Sequence, residues 1–217
     1  MKTDTQLQQD VMQELKWEPS VHAAQIGVEV KDGVVTLAGE VGSFGEKWNA
    51  ERAAQRVNGV QALTVELTVK LSEFGKRTDA DIARSVETAL GWSSSLPADA
   101  VKVLVEGGWL TLSGDVEWQY QRRDAFDSVR YITGVTGVSN QIGIKPSLSA
   151  TVVKSDIEAA IKRRAAADAK TISVDVKGAD VTLTGTVHSW AERELATRSA
   201  WSSLGVKNVV DKMNIVF

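Results

Sequence analysis

The segment VTLAGEV at residues 35–41 returns as LTLSGDV at 110–116 and as VTLTGTV at 181–187. A repeat of this kind limits the chain to copies of one supersecondary unit, because every local feature must then be read three times in register. The anchors are Gly39, Gly114 and Gly185, and twenty residues after each comes a Gly-Val pair: Gly59-Val60, Gly134-Val135 and Gly205-Val206. Copies one and two keep a spacing of 75 residues throughout, whereas the third shortens to 71 after its first helix, which puts a deletion between Ala165 and Ile172.

Each copy has the same internal order. Leu7, Val11 and Leu15, matched by Ile82, Val86 and Leu90 and by Ile157, Ile161 and Ala165, run i, i+4, i+8 as the stripe of a short amphipathic helix. Next come the alternating runs Ile26/Val28/Val30, Val101/Val103/Val105 and Ile172/Val174/Val176, the period-two pattern of a half-buried strand. A tight turn at Asp32-Gly33, Gly107-Gly108 or Gly178-Ala179 leads to the strand carrying TL-x-G. A second helix with a small apolar face ends at the Gly-Val pair, where glycine suits a helix C-terminus, and a third alternating strand closes the unit.

The order αββαβ, three times over, predicts an α+β protein. Its parts are three tandem modules at 1–72, 76–147 and 152–217, each a small three-stranded mixed sheet with two helices on one face. Gly39, Gly114 and Gly185 are then structural marks of the module, set where a side chain would obstruct helix–sheet packing or a strand bend. Gly59, Gly134 and Gly205 mark the ends of the second helices.

At this level the unit resembles the BON module (bacterial OsmY and nodulation). The resemblance rests on TL-x-G-x-V, the later GV pair, and Asn140 and Asp211 as the polar position early in the last strand. It implies a binding or scaffold module and not a catalyst. Proteins of that family include osmotic-stress proteins, outer-membrane lipoproteins, parts of secretins and channels, and a cytoplasmic potassium-binding protein with a LysM module. The role it implies first is association with phospholipid or an envelope protein; potassium sensing and a protein-interaction scaffold are the alternatives.

Composition narrows these roles. The chain has 217 residues, no cysteine and a net charge of −3, which removes thiolate chemistry and any general pull toward nucleic acid. No apolar run approaches the roughly 18 residues of a spanning helix, and TDTQLQQD lacks the apolar core of a secretory signal. The expectation is a cytoplasmic, non-transmembrane protein, with the periplasm as alternative.

A residue that the fold requires should be matched in the sister copies, so the repeat acts as an internal control. GEVGSFGEK looks like a phosphate loop, yet it has neither G-x-G-x-x-G nor G-x-x-x-x-G-K-[ST] spacing, and Gly42 and Gly45 are replaced by Glu117 and Tyr120 and by His188 and Ala191. These two glycines are expected only to loosen the start of the second helix. His22 and His188 lie at non-equivalent positions without a partner motif, so no metal, cofactor or catalytic residue is expected.

Trp17 and Trp92 are equivalent and are expected to be local packing residues. Trp48, Trp109, Trp118 and Trp201 align with polar or small residues in at least one sister copy and are expected at the surface, either between modules or facing a partner or lipid. Trp118, Tyr120, Arg122 and Arg123 together suit a lipid headgroup region, and Lys162-Arg163-Arg164 is a second basic patch. Net charge runs −4, −1 and +2 from the first third of the chain to the last, so an anionic surface should meet the third module first.

Overall fold

A computed structural model describes residues 2–145, 154–164, 172–203 and 205–216, apart from the side chains of 154 and 161–164. It forms two compact units, Met1–Val116 with Tyr120–Gly143 and Glu117–Gln119 with Ile144–Phe217. The first unit holds the first module and the second module up to Gly143, apart from Glu117–Gln119.

In the first module, helix α1 (Asp4–Trp17) leads to the hairpin β1 (Ile26–Lys31) and β2 (Val34–Val41), followed by α2 (Phe44–Arg56) and β3 (Ala62–Val69). The sheet order is β1-β2-β3, with β1 antiparallel and β3 parallel to the central strand. Helix α1 starts where Thr3 and Gln6 form a capping box, the Thr3 hydroxyl accepting from the Gln6 amide and the Gln6 side chain accepting from the Thr3 amide. Leu7, Val11 and Leu15 are buried along with Val35, Leu37 and Val41 of β2 and Ala50, Ala53 and Ala54 of α2. Both helices therefore lie on one sheet face, and the alanines of α2 let it come close to the strands. Each buried Leu or Val contributes about 1.5–3 kcal/mol.

The second module repeats this with α3 (Asp79–Trp92), β4 (Val101–Glu106), β5 (Trp109–Val116), α4 (Gln119–Val129) and β6 (Gly137–Asn140), and adds a two-residue strand β7 (Gly143–Ile144) paired with β5. Ile82 and Val86 of α3, Leu110 and Leu112 of β5, Ala125 and Val129 of α4, and Ile142 share one core. The third module has α5 (Lys154–Arg164), β8 (Ile172–Lys177), β9 (Asp180–Val187), α6 (Trp190–Trp201) and β10 (Asn208–Ile215), in sheet order β10-β9-β8. Its core joins Ile157, Val174, Leu183, Ala196, Ala200 and Met213. The deletion between Ala165 and Ile172, residues 146–153 and Leu204 lie outside the described residues.

The anchor glycine has a backbone reason. Gly39, Gly114 and Gly185 have φ of 137°, 116° and 123°. A Cβ on Gly39 would sit 2.2 Å from the Gln25 carbonyl oxygen, and one on Gly114 would sit 2.1 Å from that of Ala100. Of the two expected reasons, helix–sheet packing or a strand bend, the helix is not the obstruction: it is the loop entering the first strand, pressed against the second.

Candidate binding surface

Polar side chains tie the elements of each module together and decide which groups remain free for a ligand. Asp4, at the first position of α1, accepts from the amides of Asp32 at 2.9 Å and Gly33 at 3.1 Å, and so clamps the β1–β2 turn. Asp79 does the same for Gly107 and Gly108, both at 2.9 Å. At the start of α2, the buried Glu46 accepts from the His22 and Gly42 amides, each at 2.7 Å, and lies 2.8 Å from His22 Nδ1. Burial by itself pushes this carboxyl up, but those amide bonds and the imidazole outweigh it and hold the group below the ordinary glutamate value. His22 and Gly42 are thus committed to the loop before α2.

A cation on the second helix reaches over the third strand in every module. Lys47 Nζ donates to the Leu67 carbonyl at 2.9 Å, Arg122 Nη2 to the Asn140 carbonyl at 3.3 Å, and Arg193 Nε pairs with the Asp211 carboxylate at 2.7 Å. Asn140 and Asp211 also turn a side-chain oxygen to the amide two residues on, Ile142 at 3.2 Å and Met213 at 2.9 Å. Arg122 is therefore half-buried and folded onto its own strand, not free to meet a headgroup as the sequence suggested. The signal was present in the sequence, since Lys47, Arg122 and Arg193 are equivalent and all basic.

The tryptophans separate into different roles. Trp48 lies between the first two modules, its ring 5.0 Å from Phe126 and with Arg130 stacked 5.5 Å above it. Phe44 meets Phe126 edge-on at 6.3 Å, and the Tyr131 hydroxyl donates to Asn49 at 3.1 Å. Gly45 belongs to this contact: a Cβ there would lie 2.4 Å from the Tyr131 ring. Its purpose is to seat a side chain of the next module, which no reading of the first copy alone would show.

Trp201 packs on the core of its own module. Trp109 lies across Gly137 of the neighbouring strand, 51% exposed. Trp118 is half-buried, Tyr120 is exposed, and Arg123 is exposed with Asp127 at 3.5 Å. The side chains of Lys162, Arg163 and Arg164 lie outside the described residues.

Two residues expected to pack do the opposite. Trp17 and Trp92, the last residues of α1 and α3, are 82% and 85% exposed, and Phe74 between the modules is 92% exposed. Isolated exposed apolar residues are ordinary, but an indole left open at the same point of two modules is a large apolar group with an N–H that the fold does not use. A groove of about 540 Å³ beside Trp17 is lined by Lys2, Asp10, Gln13, Glu14, Val57 and Asn58. Its charges are already matched, Lys2 with Asp10 at 2.6 Å and Glu14 with Arg56 at 2.9 Å. Among the described residues no group of three or more His, Asp or Glu side chains is placed to hold a metal ion.

The αββαβ order, the parallel third strand and the thrice-used glycine agree with comparison to known proteins, where the BON domain profile matches residues 3–70, 78–146 and 149–216. The chain belongs to the BON domain family. Osmotically-inducible protein Y of Escherichia coli strain K12 is 27% identical to it over 169 residues, covering 74% of this BON protein and 83% of that one. Among solved structures, CdsD, a structural protein of the type III secretion system of Chlamydia trachomatis, aligns at 12% identity over 96% of this chain and 91% of that chain with a TM-score of 0.25. The C-terminal domain of CdsD aligns at 12% identity over the full length of both with a TM-score of 0.26. Overlaps this low bear on neither fold nor function. Among the described residues no helix of the three BON modules is long and apolar enough to cross a membrane.

Proposed function

We propose that this BON protein is a non-catalytic binding protein that associates with phospholipid surfaces of the bacterial envelope, in a role connected with osmotic or other stress. The observation that carries the reading is the near-complete exposure of Trp17 and Trp92 at equivalent helix ends. An indole is well suited to the bilayer interface, where its ring meets acyl chains while its N–H stays among headgroups. The stress connection is supported by similarity to a protein named for osmotic induction. The compartment that fits is the periplasm, and the cytoplasmic expectation gains no support from that similarity.

The first third of the chain, residues 1–75, carries a net charge of −4, so attraction to anionic lipid does not drive the contact. One interfacial side chain binds weakly; two on one chain raise the affinity when both engage. Co-sedimentation of the full chain with phosphatidylcholine and phosphatidylglycerol vesicles over a salt series tests this. Binding to both, little changed by salt and lost in a W17A/W92A double variant with an intact melting curve, is the expected result. Absence of binding to either vesicle at low salt, or full binding by the double variant, would sink it.

A further inference from the structure

The open face of the second sheet differs from its two sisters at paired positions. Trp109 replaces Val34 and Asp180, Leu104 replaces Glu29 and Asp175, and Gly137 replaces Ala62 and Asn208. Trp109 and Gly137 are partners across β5 and β6, and a Cβ on Gly137 would come within 2.2 Å of Cζ3 and 2.3 Å of Cε3 of the indole. The ring therefore fills the space above Gly137 where a side chain would stand, and only glycine opposite allows it. Trp109 nevertheless remains 51% exposed.

What surrounds the ring is uncharged at the centre and charged at the ends. Leu110 and Leu112 point into the core, so Thr111 and Ser113 share the outer face with Trp109. Thr111 lies between Leu104 and Ser139 in register, and the Gln141 amide donates to the Ser139 hydroxyl at 3.4 Å. Glu106 is the cross-strand partner of Trp109, and Lys102 that of Ser113.

We propose that this face is a stacking platform for a neutral saccharide. A pyranose ring presents an apolar C–H face to a flat aromatic and hydroxyls around its rim, and the platform supplies both halves: a fixed indole, then hydroxyl and amide groups that donate and accept, with a carboxylate at one end. Charge separates the other ligands. A phosphate or nucleic acid would meet Glu106 beside the indole, and Trp109 and Leu104 are too few apolar side chains for an amphipathic helix. The third module, with aspartates at positions 175 and 180, carries no such platform.

The test uses the ¹⁵N-labelled full chain titrated with two neutral probes, chitohexaose and cellohexaose, each to about 10 mM, a range chosen for millimolar binding. The expected result is a saturable shift of the Trp109 indole N–H signal by at least one probe, with the other indoles unmoved. The backbone amides of Thr111 and Ser139 shift with it, and a double variant W109D/G137N, which installs the residues of the third module and so has no indole at 109, loses the saturable shift of those two amides while its other amide signals stay in place. A second variant, T111V/S139A, keeps the indole and weakens the dissociation constant about fivefold for each hydrogen bond lost. No saturable shift of Trp109 with either probe overturns the proposal. So does a saturable shift of the Thr111 and Ser139 amides that survives in W109D/G137N, or an equal response of Trp109 in the native chain to phosphatidylcholine vesicles.

Discussion

The hairpin turns of the first two modules and of the third are built on the same sequence plan but held differently. In the first two, a carboxylate from the first helix binds both turn amides, and the second turn residue, Gly33 or Gly108, has a φ of 75° or 80°. In the third, position 154 is lysine and the second turn residue is Ala179, which is not among the residues of positive φ, although Gly178 before it has φ of 63°. The acid and the glycine are lost together. A turn whose two amides converge on an anion needs glycine in the left-handed region, and without the anion that requirement lapses. A residue at a helix N-terminus thus selects the conformation of a turn 28 residues away.

The contrast is bounded by what the modules share, and the largest expected effect lies there. Replacing Gly114 by Ala should cost about 2–4 kcal/mol in urea unfolding, because its Cβ meets a backbone carbonyl and its φ suits only glycine. A loss under about 1 kcal/mol would show that the entering loop yields. Next, Glu46→Gln gives the first module the residue that the second has at Gln121, and should cost about 2 kcal/mol at neutral pH. The folded carboxyl of Glu46 lies low, so its stabilisation is present above the unfolded value and lost as pH falls through the folded one. The Gln variant should therefore show a shallower acid limb than the native chain.

Removing the clamp itself is a smaller step, since the amides of the turn can turn to water. Asp79→Ala should destabilise by about 1–2 kcal/mol, with Asp79→Asn intermediate. The reverse graft, K154D/A179G, should stabilise the third module by about 0.5–1 kcal/mol and make its turn amides slow to exchange. No gain from the graft would mean that the acid and glycine vary independently. Smallest is Glu51→Gln on α2. Burial raises the Glu51 carboxyl, opposed by Lys47, so the charged form weakens the fold as pH rises through that raised value. The variant should gain about 0.5 kcal/mol at neutral pH and nothing under acid.

Much of the architecture is legible in the sequence because a threefold repeat separates what the fold demands from what it tolerates. The stripe Leu7/Val11/Leu15, the alternating strands and Gly39 with its two equivalents are all fixed by local geometry and recur. Gly45 and Gly137 are not legible, because their reason is a side chain elsewhere, Tyr131 in one case and Trp109 in the other. Trp17 and Trp92 show the limit of the internal control: two copies kept a residue that neither core uses, and recurrence by itself does not separate packing from binding. Arg122 shows the opposite failure, in which an adjacent run of aromatic and basic residues looked like a surface cluster while the periodic signal pointed to the strand.

Three sheets of nearly one sequence in a single chain invite pairing with the wrong neighbour. β3 and β10 lie at sheet edges, as β6 does among the long strands of its sheet, and an open edge is a template for another strand. The side chains of Lys47, Arg122 and Arg193, with Asn140 and Asp211, occupy carbonyls, amides or flanks of those strands. Held there, they leave fewer unpaired edge groups onto which a strand of a sister module or of a second chain could add during folding. The repeat that makes the protein easy to read is thus also a hazard, and one basic residue per module is part of the answer to it.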